Sequence, residues 1–130
     1  MSTTIKSLKQ LRVYQASMDA HMIIYDLAGK FPASERYRVT DQILRSQSAV
    51  GALICEAWRR RRYPNAFVNK LNESEGEAAE TQHWLEVCRR RKYVVDAQIA
   101  ELDAVYEQIQ RQLVSMINHL DDWVIKPTIT

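Results

Sequence analysis

The chain has 130 residues, 46% of them hydrophobic and 26% charged, which suits one domain folded around its own core and excludes a disordered chain. Its 3 Gly and 3 Pro are too few for the many turns of a sandwich or barrel, and a net charge of +2 excludes a global polyelectrolyte. No apolar run approaches the roughly 18–20 residues of a membrane span, and the start Met1-Ser2-Thr3-Thr4-Ile5-Lys6 has no apolar signal core, so a cytoplasmic protein with no membrane role is expected.

The first helix is predicted over 11–30. Leu11, Tyr14, Met18, Met22, Tyr25 and Ala28 recur at spacings of three and four, which assigns them to one buried face. Gly29 and Pro32 end the helix. The second helix is predicted over 34–61, with Ser34 as its cap and a face of Val39, Ile43, Val50, Ile54, Ala57 and Trp58. It stops before Tyr63-Pro64, because a residue ahead of proline is pushed out of the helical region.

Pro64 starts the third helix, predicted over 64–91. Phe67, Leu71, Ser74, Ala78, Thr81, Leu85 and Cys88 step alternately by four and three, a seam of the coiled-coil kind. Ser74, Ala78 and Thr81 are small, so a neighbouring helix can approach closely there. The fourth helix is predicted over 95–124, capped by Asp96. Its seam is Ile99, Leu102, Tyr106, Ile109, Leu113, Met116, Leu120 and Trp123, and Pro127 stops it. The connections are short, so successive helices are antiparallel neighbours. The predicted fold is all-α, an antiparallel up-down-up-down four-helix bundle forming one domain over 1–130.

Charge is unevenly spread. Residues 1–94 hold 16 Lys/Arg against 10 Asp/Glu, whereas 95–124 hold 6 acids and the single base Arg111. Two basic clusters, Arg59–Arg60–Arg61–Arg62 and Arg89–Arg90–Arg91–Lys92, are candidate nucleic-acid contacts, because such groups neutralise backbone phosphates. Both also sit at helix C-termini, where cations complement the helix dipole. In an antiparallel bundle they fall at opposite ends.

Other chemistry finds little support. Glu80 and His83 form one Glu-x-x-His element, while a bundle di-iron site needs two. His21 and His119 have Met18 and Met116 three residues before them. Cys55 and Cys88 read as reduced core residues, Gly29, Gly51 and Gly76 stand alone, and no metal, cofactor or catalytic group is assigned. Arg45, Glu56 and Glu80 lie on or beside apolar faces, and charges near a core need partners. The expectation is a buried network in which Arg45 pairs with Glu56 or Glu80.

The order of landmarks resembles the four-helix-bundle family of 23S ribosomal RNA intervening-sequence proteins, from about Leu8 to Val94. Leu11-Arg12-Val13-Tyr14-Gln15-Ala16 is similar to the family's Leu-x-Val-Trp-Gln-x-Ala opening. Ile24-Tyr25, Phe31-Pro32-x-x-Glu35-Arg36-Tyr37, Gln42-Ile43-x-Arg45, Ile54-Cys55-Glu56-Ala57 and Gly76-x-x-x-Glu80 follow in order. Leu53, Ala57, Gly51 and Glu77 depart from the family's usual Asn, Gly, Pro and Ser. The resemblance implies a bundle commonly assembled as a homopentamer. Some members are encoded inside insertions in ribosomal RNA genes. A related group comprises accessory proteins of diversity-generating retroelements, thought to bind nucleic acid and a reverse transcriptase. Apolar residues outside the seams, Ile23, Trp84, Val87 and Val105, also point to self-association. The expected function is therefore a non-enzymatic, self-associating bundle whose basic clusters contact RNA or DNA. The alternative is a protein-interaction scaffold with no nucleic-acid role.

Overall fold

The computed structural model describes residues 5–127; the polar start Met1–Thr4 and the last three residues lie outside the described residues. Four helices pack in antiparallel order: α1 (Arg12–Ala28), α2 (Asp41–Arg59), α3 (Pro64–Arg90) and α4 (Asp96–Asn118). Pro64 sits in the first turn of α3, where its missing N–H is no loss. Two expected caps are replaced. Ser34 lies in a one-turn 3-10 segment (Ala33–Glu35), followed by a π-type turn (Arg36–Thr40) that leads into α2. Val95, not Asp96, is the extended residue ahead of α4; Asp96 occupies the first turn, where a carboxylate favours the helix dipole. The fourth helix ends at Asn118, and Leu120–Asp122 form a separate turn. No described helix is long and apolar enough to cross a membrane.

The expected faces of α2 and α3 are buried throughout, as are the first six seam residues of α4. The α2–α3 contact is the most extensive of the bundle, and α3's small residues explain it. Ser74 Oγ donates to the Val50 carbonyl at 2.8 Å, and the Thr81 and Ser46 hydroxyls are 2.9 Å apart, all three side chains fully buried. Ala78 lies between them, 0% exposed.

Helix α1 is rotated from the expected phase. Its buried residues are Val13, Ser17, Ala20, Ile24 and Ala28; of the expected face Leu11 and Ala28 are buried and Tyr14 is half-buried, whereas Met18, Met22 and Tyr25 face outward. Both stripes carry three-and-four spacing, so periodicity alone does not separate them. Close approach does: a Cβ added at Gly51 of α2 would stand 3.1 Å from Ser17 Oγ, and a Met or Tyr in place of Ser17 would not fit there. Of the apolar residues expected to be surplus, only Ile23 is exposed; Trp84, Val87 and Val105 are half-buried against the core. Both cysteines are unpaired, but only Cys88 is a core residue. Cys55 is exposed.

The expected pairing of Arg45 with Glu80 forms, but the network is corrected on two counts, the place of Glu56 and its burial. Arg45 binds Glu80, and Glu77 at 3.2 Å, while Glu56 turns away to Lys70 at 3.4 Å. The Arg45 and Glu80 side chains are also 50% and 36% exposed, so they are solvated and not a core pair. Hydrogen bonds from Arg45 and then Trp84 hold the Glu80 carboxyl below the usual carboxylate range. Exposed pairs contribute about 0–1 kcal/mol. Glu80→Ala is therefore expected to cost no more than about 1 kcal/mol in urea unfolding, where a buried pair would cost about 3–5 kcal/mol.

Candidate nucleic-acid interface

The antiparallel order sets the two basic clusters at opposite ends. Arg59 closes α2, and Arg60–Arg62 form the turn into α3, bonded from Arg60 N–H to the Ala57 carbonyl at 2.9 Å. The C-terminal segment crosses this turn, with Ile125 N–H donating to the Arg61 carbonyl at 2.9 Å. Arg61 is fixed. Its guanidinium lies 3.6 Å from the centre of the Trp58 ring, and its Nε donates to the Trp58 carbonyl at 2.9 Å. Burial, then repulsion from Arg59 and Arg62, draws its pKa below the usual arginine value. It is a packing residue that carries charge.

Arg59, Arg60 and Arg62 differ from it. All three are exposed, and none has a carboxylate partner among the described residues. Tyr63 beside them is 66% exposed. Lys126 joins Arg62 in lining a hollow of about 280 Å³. Lys126 stands far from the cluster in sequence, and only the folded-back C-terminal segment brings it there.

At the other end the arginines of the second cluster are set against acids. Glu86 takes a two-pronged contact from Arg89, with distances of 2.9 and 2.6 Å, and a third hydrogen bond of 2.8 Å from Arg90. These bonds lower the Glu86 pKa to about 2. Arg91 lies 3.6 Å from the buried Glu35 carboxylate. Lys92 adopts φ 62°, the left-handed position that ends a helix. Its N–H bonds the Arg89 carbonyl at 3.0 Å, and Tyr93 N–H bonds that of Cys88 at 2.9 Å, the two bonds of a Schellman stop. Three of these four cations already face carboxylates.

The Glu86 pairing is testable by pH. A depressed carboxylate pKa means that the stabilising charge is present above the ordinary carboxylate range and is lost only as pH falls through about 2. Carbon-detected NMR titration should place the Glu86 midpoint near 2, and replacing Arg89 and Arg90 with Gln should return it toward the ordinary range.

Sequence reasoning passed over one group at this second end. Tyr37 is 76% exposed in the turn before α2, with the Arg36 guanidinium 5.5 Å from its ring centre and Arg38 exposed next to it. The basic–aromatic–basic triplet was legible as a stacking element. The remaining candidates scatter. Glu80 is bound to Arg45, His83 packs edge-on to Trp84, His21 stacks on Tyr25, and His119 Nδ1 meets the Ser115 carbonyl at 2.8 Å. Among the described residues no group of three or more His, Cys, Asp or Glu is placed to hold a metal.

The family described as 23S rRNA-intervening sequence protein matches residues 9–115. A crystal structure of a protein of unknown function from the S23 ribosomal protein family of Bacteroides thetaiotaomicron VPI-5482 is 31% identical to this chain. It aligns over 81% of this chain and 97% of its own, with a TM-score of 0.74. No curated protein matches the chain.

Proposed function

Because the chain belongs to the 23S rRNA-intervening sequence protein family, we propose that it is a cytoplasmic, non-enzymatic, self-associating bundle that binds RNA or DNA as an accessory protein, gripping phosphates through Arg59, Arg60 and Arg62. The observation that carries this reading is the contrast between the two arginine clusters. One cluster holds three exposed arginines with no acid partner among the described residues, while in the other three arginines are already set against Glu86 and Glu35. Guanidinium groups free of carboxylates keep their donors for phosphate oxygens.

Binding of this kind has little base readout, since phosphate contacts position a protein without reading sequence. Each subunit offers only a few contacts. Self-association repeats them, and contacts that are weak singly then act together through a high effective concentration. A fluorescence anisotropy titration with mixed-sequence RNA and DNA, at low and at physiological salt, tests the reading. Binding that weakens steeply with salt supports it. No binding at about 50 mM salt, where phosphate contacts are strongest, overturns it. One observation favours a second reading, a protein-interaction scaffold without nucleic acid: the outward Met18, Met22 and Tyr25 of α1 form an apolar surface fit for a protein partner.

A further inference from the structure

A hollow of about 360 Å³ opens between the first turn of α1 and the C-terminal half of α4. Its floor is apolar, lined by the core residues Leu11, Val13 and Met116. Trp123 forms one wall and is half-buried against the core. The rim is polar. Arg12, Gln108 and Gln112 line it, and none of the three side chains has a hydrogen bond or an ion pair among the described residues. An apolar slot with a few free polar groups at its edge is the usual make-up of a ligand site.

Position in the bundle identifies the ligand. The start of α1 and the end of α4 lie at the same end of the bundle as the turn that carries Arg60–Arg62. The C-terminal segment runs from the hollow to that turn. Trp123 walls the hollow, Ile125 N–H bonds the Arg61 carbonyl, and Lys126 lines the neighbouring hollow with Arg62. Trp123 and Lys126 are three residues apart, at most about 11 Å of chain. Lys6, Lys9 and Arg12, at and before the start of α1, are exposed and have no carboxylate partner among the described residues. A polyanionic strand held on the arginines therefore passes the mouth of an apolar, aromatic-walled slot with further free cations beside it.

We propose that the hollow receives one unpaired base of the strand whose phosphates lie on Arg59, Arg60 and Arg62. The inference rests on the phosphate reading above and adds to it the form of the nucleic acid, which is single-stranded at this end. A base stacks on Trp123 whatever its identity, because every base has a π-face. Gln108 and Gln112 each present a donor and an acceptor, so they meet any base edge without selecting one. The free guanidinium of Arg12 takes a phosphate at the rim. A duplex gains none of this, since a paired base must first leave its stack.

The test compares one labelled oligonucleotide of mixed sequence, single-stranded and annealed to its complement, by fluorescence anisotropy at about 50 mM salt. The ratio of the two affinities is the readout, because phosphate contacts contribute to both. Ser115 and Gln108 are exposed positions that line the hollow. Ser115→Phe and Gln108→Phe each fill it from outside, so circular dichroism should be unchanged. Each should weaken the single strand about tenfold, the fold-change of one stacked base, and leave the duplex as in wild type. Tryptophan emission reads the contact itself. The single strand should quench it, and both Trp123→Leu and Ser115→Phe should lose that quenching. If neither form of nucleic acid binds at about 50 mM salt, the phosphate reading falls and the base site with it. If Ser115→Phe and Gln108→Phe both bind the single strand as tightly as wild type, with no quenching at Trp123, the hollow is not a base site and the phosphate reading stands.

Discussion

Replacing Arg59, Arg60 and Arg62 together with glutamine is expected to abolish most of the nucleic-acid affinity at physiological salt while leaving the bundle folded. Each cation that neutralises a phosphate contributes about 0.9 to the slope of log affinity against log salt on duplex DNA, and about 0.7 on single strands. Losing three should lower that slope by about 2–3 for every subunit in contact, and lower affinity roughly a hundredfold or more at about 0.1 M salt. The fold should not suffer, because none of the three packs in the core or pairs with a carboxylate among the described residues. Arg61→Gln is the informative control. That guanidinium covers Trp58 and bonds its carbonyl. Its loss should destabilise by on the order of 1 kcal/mol and change the salt slope least of the four. The same titration on a variant lacking Arg89 and Arg90 should lower the slope less, since both guanidinium groups already share the Glu86 carboxylate. Equal losses from both ends would refute the assignment of the site to the Arg59 end.

Ala78→Leu should destabilise the bundle far more than either Glu80→Ala or Arg61→Gln. Ala78 lies on α3 between Ser74 and Thr81, both hydrogen-bonded to α2 from fully buried positions. No room exists for three more carbons unless the two helices part. Overpacking a well-filled core costs about 1–3 kcal/mol and occasionally more. Separation would also stretch the buried bond from Ser74 to the Val50 carbonyl and that between Thr81 and Ser46, each worth about 1 kcal/mol more. A total of roughly 3–5 kcal/mol is expected in urea unfolding, with helical circular dichroism retained in the absence of denaturant. The neighbouring Ala79 is exposed, so Ala79→Leu should stay within about 0.5 kcal/mol of wild type. If the two substitutions behave alike, the α2–α3 contact is not set by small side chains.

Much of the bundle is written locally in the chain. Scarce Gly and Pro, seams stepping by three and four, and short connections determine four antiparallel helices. The seam of α3 is buried residue for residue, because a long, sharply alternating stripe has only one phase that buries it. The positions of both basic clusters at opposite ends follow from the same reading.

Helix α1 shows where local pattern runs out. It carries two stripes of equal period, and Met18, Met22 and Tyr25 of the bulkier one lie outside. Side-chain size alone favours burying Tyr14, Met18, Met22 and Tyr25. Tertiary packing chose Val13, Ser17, Ala20 and Ile24, because the close contact of Ser17 with Gly51 admits only a small side chain. The charge partners were settled in the same way. Which acid meets Arg45, whether Glu56 meets Arg45 or Lys70, and which arginines keep a free guanidinium depend on distances across helices and turns. Periodicity is a property of one helix and passes directly into the sequence. Phase against a neighbour and the neutralisation of a charge are properties of pairs, and they exist only once the chain has folded.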